Sequence, residues 1–359
     1  MLLYIFVTVF PLVVGYTYVK KMEDVAVVEA PSHKYNWGRF WWLMVAAFPM
    51  FFLIAFRNGY MGADAGVYQN YFEEMVDTPW SEVIDLYDYE KGFLIFEKLL
   101  TYVTSNALVY QCIYTLIYMI TVVDFANRLE EAQFTYLFLF ATIGLYTFMF
   151  TAVRQCLAIC ICLFSYRFVK DRKIFKFALC ILLAFFFHKS SILFAVVYFI
   201  YNLSVRFFNF FIYAFFGLMV YLNIEDVQEW FNEQLEYDYG IEETDSGVIF
   251  TLVVVIITLF SLIMMSNHGK ITKESGGMIN VNYIVVLLWI LRTATRVAER
   301  PSYYFMFFSI GMLCYGMSAP RKHRDKLVYK FVVCGLMFAL FIYRMSTNFK
   351  SLVPFEFYS

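Results

Sequence analysis

Long apolar runs alternate with short polar segments along the whole chain. Most of these runs are about 15 to 20 residues long, close to the roughly 20-residue helix that crosses about 30 Å of hydrocarbon. The sequence lacks the ten-residue alternating segments that are typical of a membrane β-barrel. The pattern predicts helices at residues 2–19, 39–56, 107–126, 133–150, 152–169, 174–188, 190–205, 207–223, 247–266, 280–298, 302–319 and 327–345.

Two segments depart from this pattern. A run near residues 93–104 is too short to cross the bilayer and contains Glu97 and Lys98, which predicts a re-entrant or amphipathic helix at the outer face. The run 174–205 is too long for one helix and is interrupted at His188, which favours two short crossings joined by an outside turn. If this run is instead a single crossing, the orientation of every upstream segment is inverted.

The composition is that of a membrane protein. The chain is 62% hydrophobic and 22% aromatic, with a mean hydropathy of +0.64, whereas soluble domains are about 45 to 50% apolar. No internal repeat and no Pro/Ser-rich linker divides the sequence. We therefore expect an all-α polytopic membrane protein with about twelve transmembrane helices, forming a single integral membrane domain over residues 1–359.

The distribution of charge predicts the orientation, because Lys and Arg in short loops stay cytoplasmic. The basic clusters predict cytoplasmic loops at residues 20–38, 170–174, 267–279 and 320–326. Two acidic segments that are poor in basic residues predict extracytoplasmic loops at 57–106 and 223–247. The second of these is expected to carry a surface helix near 227–235, anchored by Trp230 and Phe231.

The segment FRNGYMGADAGVYQNYF, at residues 56–72, is unusual for a connecting loop. Arg57 lies at a predicted membrane edge, Asp64 is an isolated acid, and three glycines permit close backbone approach. Tyr68 and Tyr71 offer the flat faces and hydroxyls that sugars bind. The alternative is that Arg57 snorkels towards lipid headgroups and Asp64 is simply solvated.

Two further candidates lie at predicted helix ends on the same outer side. Arg154 and Gln155 open a helix, where an arginine is disfavoured by the helix dipole but strengthens an anion site. His188 is the one histidine in an apolar context, and the near-neutral pKa of a histidine side chain suits proton transfer. The alternative for His188 is a satisfied core histidine.

Arg292, Arg296 and Arg300 have the spacing i, i+4, i+8, so one helix would place them near a single face until Pro301 ends or bends it. Such a row is costly near a membrane but suits phosphate, which guanidinium binds bidentately. Generic binding of lipid headgroups is the alternative. The sequence contains no nucleotide loop, metal-ligand cluster or nucleic-acid patch.

These motifs, in this order, resemble the EpsG-like family of polysaccharide polymerases, a branch of the Wzy-type (O-antigen polymerase) enzymes of bacterial exopolysaccharide and capsule export. Residues 56–72 look like the family's arginine followed by G-x-D-x-x-x-Y, and YEKGF at 89–93 looks like its E-x-G-aromatic segment. The other matching motifs are Arg154-Gln155, His188 with its serines, and residues 296–300. The resemblance thus covers residues 57–300.

The resemblance implies a GT-C-like integral membrane glycosyltransferase that needs no metal or other cofactor. Its donor and acceptor are expected to be undecaprenyl-pyrophosphate-linked oligosaccharides. Its place would be the bacterial plasma membrane, with the active site facing the periplasm or cell exterior. Besides the bilayer, the expected partners are a chain-length regulator and a flippase of the same pathway, and no nucleic acid is expected.

On this hypothesis, arginines bind the donor pyrophosphate and stabilise the charge that develops as the glycosidic bond breaks. The predicted pyrophosphate ligands are Arg57, Arg154, Arg292, Arg296 and Arg300. His188 is favoured over Asp64 as the general base. The predicted sugar contacts are Tyr68, Tyr71, Glu90 and Gln155.

Two other classes of protein stay open. A lipid-linked oligosaccharide flippase or exporter also needs arginines for pyrophosphate, but its polar groups should reach both faces of the membrane, whereas these residues cluster on one predicted face. A membrane O-acyltransferase uses an intramembrane histidine, but it gives no reason for the arginines.

Overall fold

The computed structural model of the protein describes residues 1–25, 35–62, 64–85, 87–205, 207–226, 229, 247–347 and 352–358. Every regular element in these ranges is a helix, apart from an isolated antiparallel bridge between Arg57 and Phe357. The α-helices are α1 (Leu2–Val25), α2 (Trp37–Ala55), α3 (Ala65–Asp77), α4 (Lys91–Thr101), α5 (Ala107–Asn127), α6 (Gln133–Ile143), α7 (Leu145–Phe148), α8 (Val153–Lys170), α9 (Ile174–Phe187), α10 (Val196–Ile200), α11 (Phe207–Leu222), α12 (Val248–Asn267), α13 (Lys273–Arg292), α14 (Glu299–Ser318) and α15 (His323–Thr347). Two 3₁₀ segments cover Lys189–Ala195 and Arg296–Ala298. The all-α prediction is confirmed.

Within the described ranges, 6 helices are long and apolar enough to cross a membrane. They are α1 over Leu2–Lys21, α2, α5, α12, α13 and α15. Each of them overlaps a predicted crossing. The other described helices are shorter or less apolar, so the total of about twelve crossings stays a prediction.

The chain forms two compact units. The first contains Met1–Phe164, Phe186–His188 and Phe331–Ser359, and the second contains Ser165–Phe185 and Lys189–Lys330. Helices α8 and α9 each contribute residues to both units. Each unit is therefore assembled from segments that are distant in sequence.

Helix α5 organises the core of the first unit. Its residues Tyr110, Tyr114 and Tyr118 are all buried, because side chains four apart share one face of a helix. Gln111, the next residue after Tyr110 in α5, donates hydrogen bonds from its Nε2 to carbonyl groups at and just after the end of α2. These carbonyl groups lack partners within the helix. Its acceptors are the oxygens of Ile54 at 3.2 Å, Ala55 at 3.0 Å and Arg57 at 3.0 Å. The end of α2 is thereby held against α5.

The predicted helix 133–150 is wrong as a single helix. Gly144 has a φ of +104°, in the left-handed region that favours glycine, and it ends α6. Arg344 Nη1 donates a hydrogen bond of 2.8 Å to the Ile143 carbonyl at this break. The distant arginine satisfies a carbonyl group that the end of the helix leaves without a partner.

In the second unit, α12, α13 and α14 pack against one another. Helix α13 begins at Lys273 because Thr272 and Ser275 form a capping box. It ends at Arg292. The predicted helix 280–298 is therefore wrong at both ends.

Two other predictions change close to the candidate motifs. The predicted helix 190–205 is replaced by the 3₁₀ segment Lys189–Ala195 and the short helix α10. The predicted loop 57–106 contains α3, which the low hydropathy of its sequence concealed. Its buried residues Tyr68, Phe72 and Met75 follow the helical period, which was the available signal.

The predicted amphipathic helix near 93–104 is confirmed in type as α4, whose buried face includes Glu97. This helix leads back from the acidic segment towards α5. The predicted surface helix near 227–235, with its anchors Trp230 and Phe231, lies outside the described residues apart from position 229.

Candidate functional site

The first unit contains a buried ionic cluster made of Glu90, Arg154 and His188. Arg154 Nη1 donates to Glu90 Oε2, and Glu90 Oε1 lies 3.1 Å from His188 Nδ1. The side chains of Arg154, Glu90 and His188 are 14%, 6% and 4% exposed. Arg154 Nε also donates to the Tyr68 hydroxyl at 3.2 Å. One carboxylate thus joins a guanidinium to an imidazole, away from bulk solvent.

Four helix ends position these side chains. Tyr68 lies in the first turn of α3, and Arg154 lies in the first turn of α8. Glu90 is the N-cap of α4, but its carboxylate makes no capping bond and instead reaches the cluster. His188 directly follows the last residue of α9. The site therefore lies where backbone N–H and C=O groups lack intrahelical partners, which suits polar chemistry.

Gly92 sets the distance between α4 and α9. A Cβ at this position would lie 2.6 Å from the Phe186 carbonyl oxygen and 2.7 Å from the Phe186 Cβ, closer than van der Waals contact. Only glycine fits between the two backbones without a shift. The start of α4, which carries Glu90, can therefore pack directly on the end of α9, beside His188.

Tyrosine side chains line the cluster. The Arg154 Cζ lies 3.9 Å from the centre of the Tyr89 ring, a cation–π contact. Tyr71 stacks on Tyr87 at 4.0 Å and lies 5.4 Å from Tyr89, measured between ring centres. Burial raises the pKa of Tyr89, so its hydroxyl stays protonated at neutral pH. Tyr87 and Tyr89 were not among the predicted site residues, although both lie close to Glu90 in YDYEKGF.

A second buried carboxyl group, that of Glu97, lies about two turns from Glu90 along α4 and on the same face. Its Oε1 accepts a hydrogen bond of 2.6 Å from the Tyr110 hydroxyl, while its Oε2 has no hydrogen-bond partner among the described residues. Burial raises the pKa of Glu97 to about 8, against the opposing effects of the Tyr110 hydrogen bond and the Arg154 charge. Glu97 is therefore mainly protonated at neutral pH.

Arg57 has entirely different surroundings from Arg154. It is 1% exposed, and its Nη1 donates to Ile54 O at 2.7 Å. Its Nε donates to Met61 O at 3.1 Å, and its Nη2 donates to the Tyr114 hydroxyl at 2.9 Å. This geometry favours a structural role at the end of α2. Neither the predicted pyrophosphate contact nor snorkelling to headgroups fits a guanidinium that is buried and bonded in this way.

A C-terminal strap, residues 352–358, closes over the turn that contains Arg57. Two backbone hydrogen bonds join the strap to this turn, Asn58 N to Glu356 O at 2.8 Å and Tyr358 N to Phe56 O at 2.9 Å. The strap therefore holds the chain as it leaves α2 and approaches α3.

The three arginines of the second unit do not share one helix face. Arg292 ends α13, is 8% exposed, and donates its Nε to Glu299 Oε2 at 2.7 Å. Arg296 opens the second 3₁₀ segment and is exposed, and Arg300 lies in the first turn of α14. The side chain of Thr295 caps the 3₁₀ segment and so interrupts the helix. The predicted continuous row is therefore wrong.

The remaining predicted residues flank the cluster in sequence. Asp64 is the N-cap of α3 and makes no capping hydrogen bond, and Gln155 is buried in α8 beside Arg154. The predicted convergence of distant motifs is observed for Tyr68, Glu90, Arg154 and His188. It is not observed for Arg57, which points into the core.

The described residues form helices, several of them long and apolar enough to cross a membrane, and they hold a buried ionic cluster at helix ends. These features define a multi-pass membrane protein with a buried polar site. The model of the EpsG family matches residues 40–357, so the chain belongs to the EpsG family. This match confirms the resemblance seen in the motifs and supports a role like that of a membrane polysaccharide polymerase. No curated protein and no solved structure matches the chain.

Proposed function

We propose that the protein is a polysaccharide polymerase at the outer face of the bacterial plasma membrane. It transfers an oligosaccharide repeat unit from one undecaprenyl pyrophosphate carrier to the sugar end of another, within a GT-C-like bundle of about twelve crossings. Membership of the EpsG family and the membrane-length helices support this proposal.

The observation that carries the proposal is the ionic cluster of Glu90, Arg154 and His188. Glycosyl transfer from a pyrophosphate needs a cation for the leaving group and a base for the acceptor hydroxyl. Arg154 supplies the cation, and His188 supplies the base. Both are held in a buried setting, where electrostatic interactions are stronger than in water.

The transfer proceeds as follows. The acceptor hydroxyl attacks the anomeric carbon of the donor sugar, and His188 takes the hydroxyl proton. The bond between the anomeric carbon and the pyrophosphate oxygen breaks, and its electron pair stays on the pyrophosphate, where Arg154 stabilises the charge. The imidazolium then loses its proton to solvent, and undecaprenyl pyrophosphate leaves.

The tyrosines beside the cluster supply the sugar contacts in this proposal. Tyr68 and Tyr71 were predicted for this role from the sequence, and Tyr87 and Tyr89 extend the same surface. The rings of Tyr71, Tyr87 and Tyr89 are half-buried and offer an apolar face and a polar hydroxyl, which suits the two faces of a sugar ring. Gln155 stays a predicted sugar contact.

The other four predicted arginines divide into two groups. Arg57 and Arg292 are buried and bonded within their own units, so we assign them structural roles. Arg296 and Arg300 stay predicted pyrophosphate ligands. Asp64 stays the alternative to His188 as the general base.

The test is complementation of a strain that lacks the gene, with polymer length scored at equal protein abundance. His188→Ala and Arg154→Ala should abolish long polymer, since each removes one of the two required groups. Arg296→Ala and Asp64→Asn test the remaining assignments. His323→Ala, at an exposed histidine that begins α15, is the matched control and should leave polymer unchanged.

Retention of long polymer by both cluster variants would refute the assignment of the site. Loss of the gene should leave single repeat units on the carrier at the outer face of the membrane. Single units that remain at the cytoplasmic face would instead identify the flippase or exporter. Polymer of normal length that lacks acyl groups would identify the O-acyltransferase.

A further inference from the structure

Glu90 uses both of its carboxylate oxygens inside the cluster. Oε2 accepts from Arg154 Nη1, and Oε1 faces His188 Nδ1 at 3.1 Å. The side chain is 6% exposed, so this carboxylate interacts with protein groups and hardly with bulk water. The sequence assigned Glu90 only a sugar contact, which this geometry does not require.

The position of Glu90 determines the proton arrangement of His188. A carboxylate that is paired with a guanidinium is an anion and can only accept hydrogen bonds. The proton of a neutral His188 must therefore lie on Nδ1, which leaves Nε2 without a proton and able to act as a base. Glu90 thus orients the imidazole in the same way that a carboxylate orients a catalytic histidine in other enzymes.

The position of Glu90 also restricts Arg154. A guanidinium binds phosphate bidentately through one of two paired edges, Nε with Nη2 or Nη1 with Nη2. Arg154 Nε already donates to Tyr68, and Nη1 already donates to Glu90. Each edge therefore contains a nitrogen that is already engaged, so a bidentate phosphate competes with Tyr68 or Glu90 for that nitrogen. Repulsion between two anions in a buried site selects Glu90 as the partner that leaves.

We propose that Glu90 is a positioning residue that serves as the counter-anion of Arg154 until the pyrophosphate of the substrate displaces it, and that it keeps its contact with His188. Pyrophosphate binding at Arg154 would then also affect His188, through Glu90. The carboxylate that is released from Arg154 still acts on His188, and it stabilises the imidazolium that forms when the acceptor hydroxyl loses its proton. The identity of the anion rests on the proposed function.

The test uses the full-length protein, purified in detergent, with inorganic pyrophosphate as the probe in isothermal titration. Glu90→Gln removes the competing negative charge and should bind pyrophosphate about tenfold more tightly than wild type, the equivalent of about 1.4 kcal/mol. Arg154→Ala should lose binding. The matched control is Glu82→Gln, at an exposed glutamate before α4, which should bind like wild type.

Turnover of lipid-linked donor and acceptor provides the second measurement. Glu90→Gln should lower KM together with kcat, with kcat falling by about 10² or more because His188 loses its orienting anion. A purely structural role would lower the amount of active enzyme and leave KM unchanged. Glu90→Asp keeps the charge but shortens its reach, so it should recover part of kcat.

Unchanged or weaker pyrophosphate binding by Glu90→Gln overturns the inference, as does a kcat equal to that of wild type. If Glu90→Gln does not fold, Glu90→Asp decides the question, because its longer distance to Arg154 should also tighten pyrophosphate binding. The pyrophosphate titration needs no turnover, so it separates failure of the inference from failure of the proposed function. If the protein forms polymer but Glu90 does not compete with pyrophosphate, only the inference is refuted. If Glu90 competes with pyrophosphate but the protein forms no polymer, only the proposed polymerase function is refuted.

Discussion

At the scale of the residue, α4 carries two buried carboxyl groups with opposite properties. Glu90 lies between Arg154 and His188 and is held as an anion by its neighbours. Glu97 accepts a hydrogen bond from the Tyr110 hydroxyl, and burial raises its pKa to about 8. The difference follows from the partners, because burial penalises a charge and a nearby cation offsets that penalty.

Glu97 should make the stability of the protein depend on pH. Its pKa is raised from 4.5 to about 8, so between these values the unfolded chain holds fewer protons than the folded protein. The free energy of unfolding should therefore fall as pH rises through this window, by at most about 1.4 kcal/mol per pH unit. Glu97→Gln, which stays neutral, should flatten this dependence and raise the thermal midpoint near pH 8.

The measurement is thermal unfolding of the purified protein across the window. Glu82→Gln, at an exposed site, is the control and should follow wild type. Curves for Glu97→Gln and wild type that stay parallel at every pH would contradict the assignment of this titration to Glu97.

At the scale of the element, the site depends on the packing of helix ends. Glu90 and His188 are 98 residues apart, yet they meet because the start of α4 lies against the end of α9. Gly92 makes this approach possible, since any Cβ would overlap the Phe186 carbonyl. Gly92 therefore affects the reaction only through the distance between the backbones of α4 and α9.

Gly92→Ala should reduce polymer formation more than protein abundance. Alanine is favoured over glycine inside a helix by about 1 kcal/mol, so propensity alone predicts a gain in stability. The added Cβ must instead push α4 away from α9 and lengthen the contact between Glu90 and His188. The readout is polymer length at equal protein amount.

Gly335→Ala is the matched control, because a Cβ at this position in α15 meets nothing within 4 Å. It should retain full activity. If Gly92→Ala is as active as Gly335→Ala, the distance between the two helix ends does not limit the reaction.

At the scale of the whole molecule, distant parts of the sequence build the first unit. The Tyr4 hydroxyl donates 2.7 Å to Leu352 O, a contact between residues 348 positions apart. Leu352 begins the C-terminal strap, which also pairs with the turn after α2. These hydrogen bonds thus connect the strap to both helix α1 and the Arg57 turn.

Tyr4→Phe should lower the stability of the protein, because it leaves a buried carbonyl oxygen without its donor. The expected loss is about 1 to 3 kcal/mol, measured as a drop in the thermal midpoint of the purified protein. Tyr16→Phe is the matched control, since Tyr16 lies on the same helix and is 71% exposed. Equal midpoints for the two variants would show that the strap contributes little.

The hydrophobic pattern was sufficient to predict an all-helical membrane protein, because the length and apolar character of a run can be read from its own sequence. The sequence also pointed to Arg154 and His188, because polar residues at the ends of apolar runs are costly in a membrane. It pointed to Tyr68 as a side chain of the kind that sugars bind, and to Glu90 through the family resemblance. Their order along the chain carried the family resemblance that the match over residues 40–357 confirms.

Only the tertiary structure decided which arginine belongs to the core and which to the ionic cluster. Arg57 and Arg154 look alike in sequence, at the end and at the start of an apolar run. Arg57 is bonded to backbone carbonyls and Tyr114, whereas Arg154 meets Glu90. The role of a buried charge depends on partners that lie far away along the chain, and a local sequence pattern does not identify those partners.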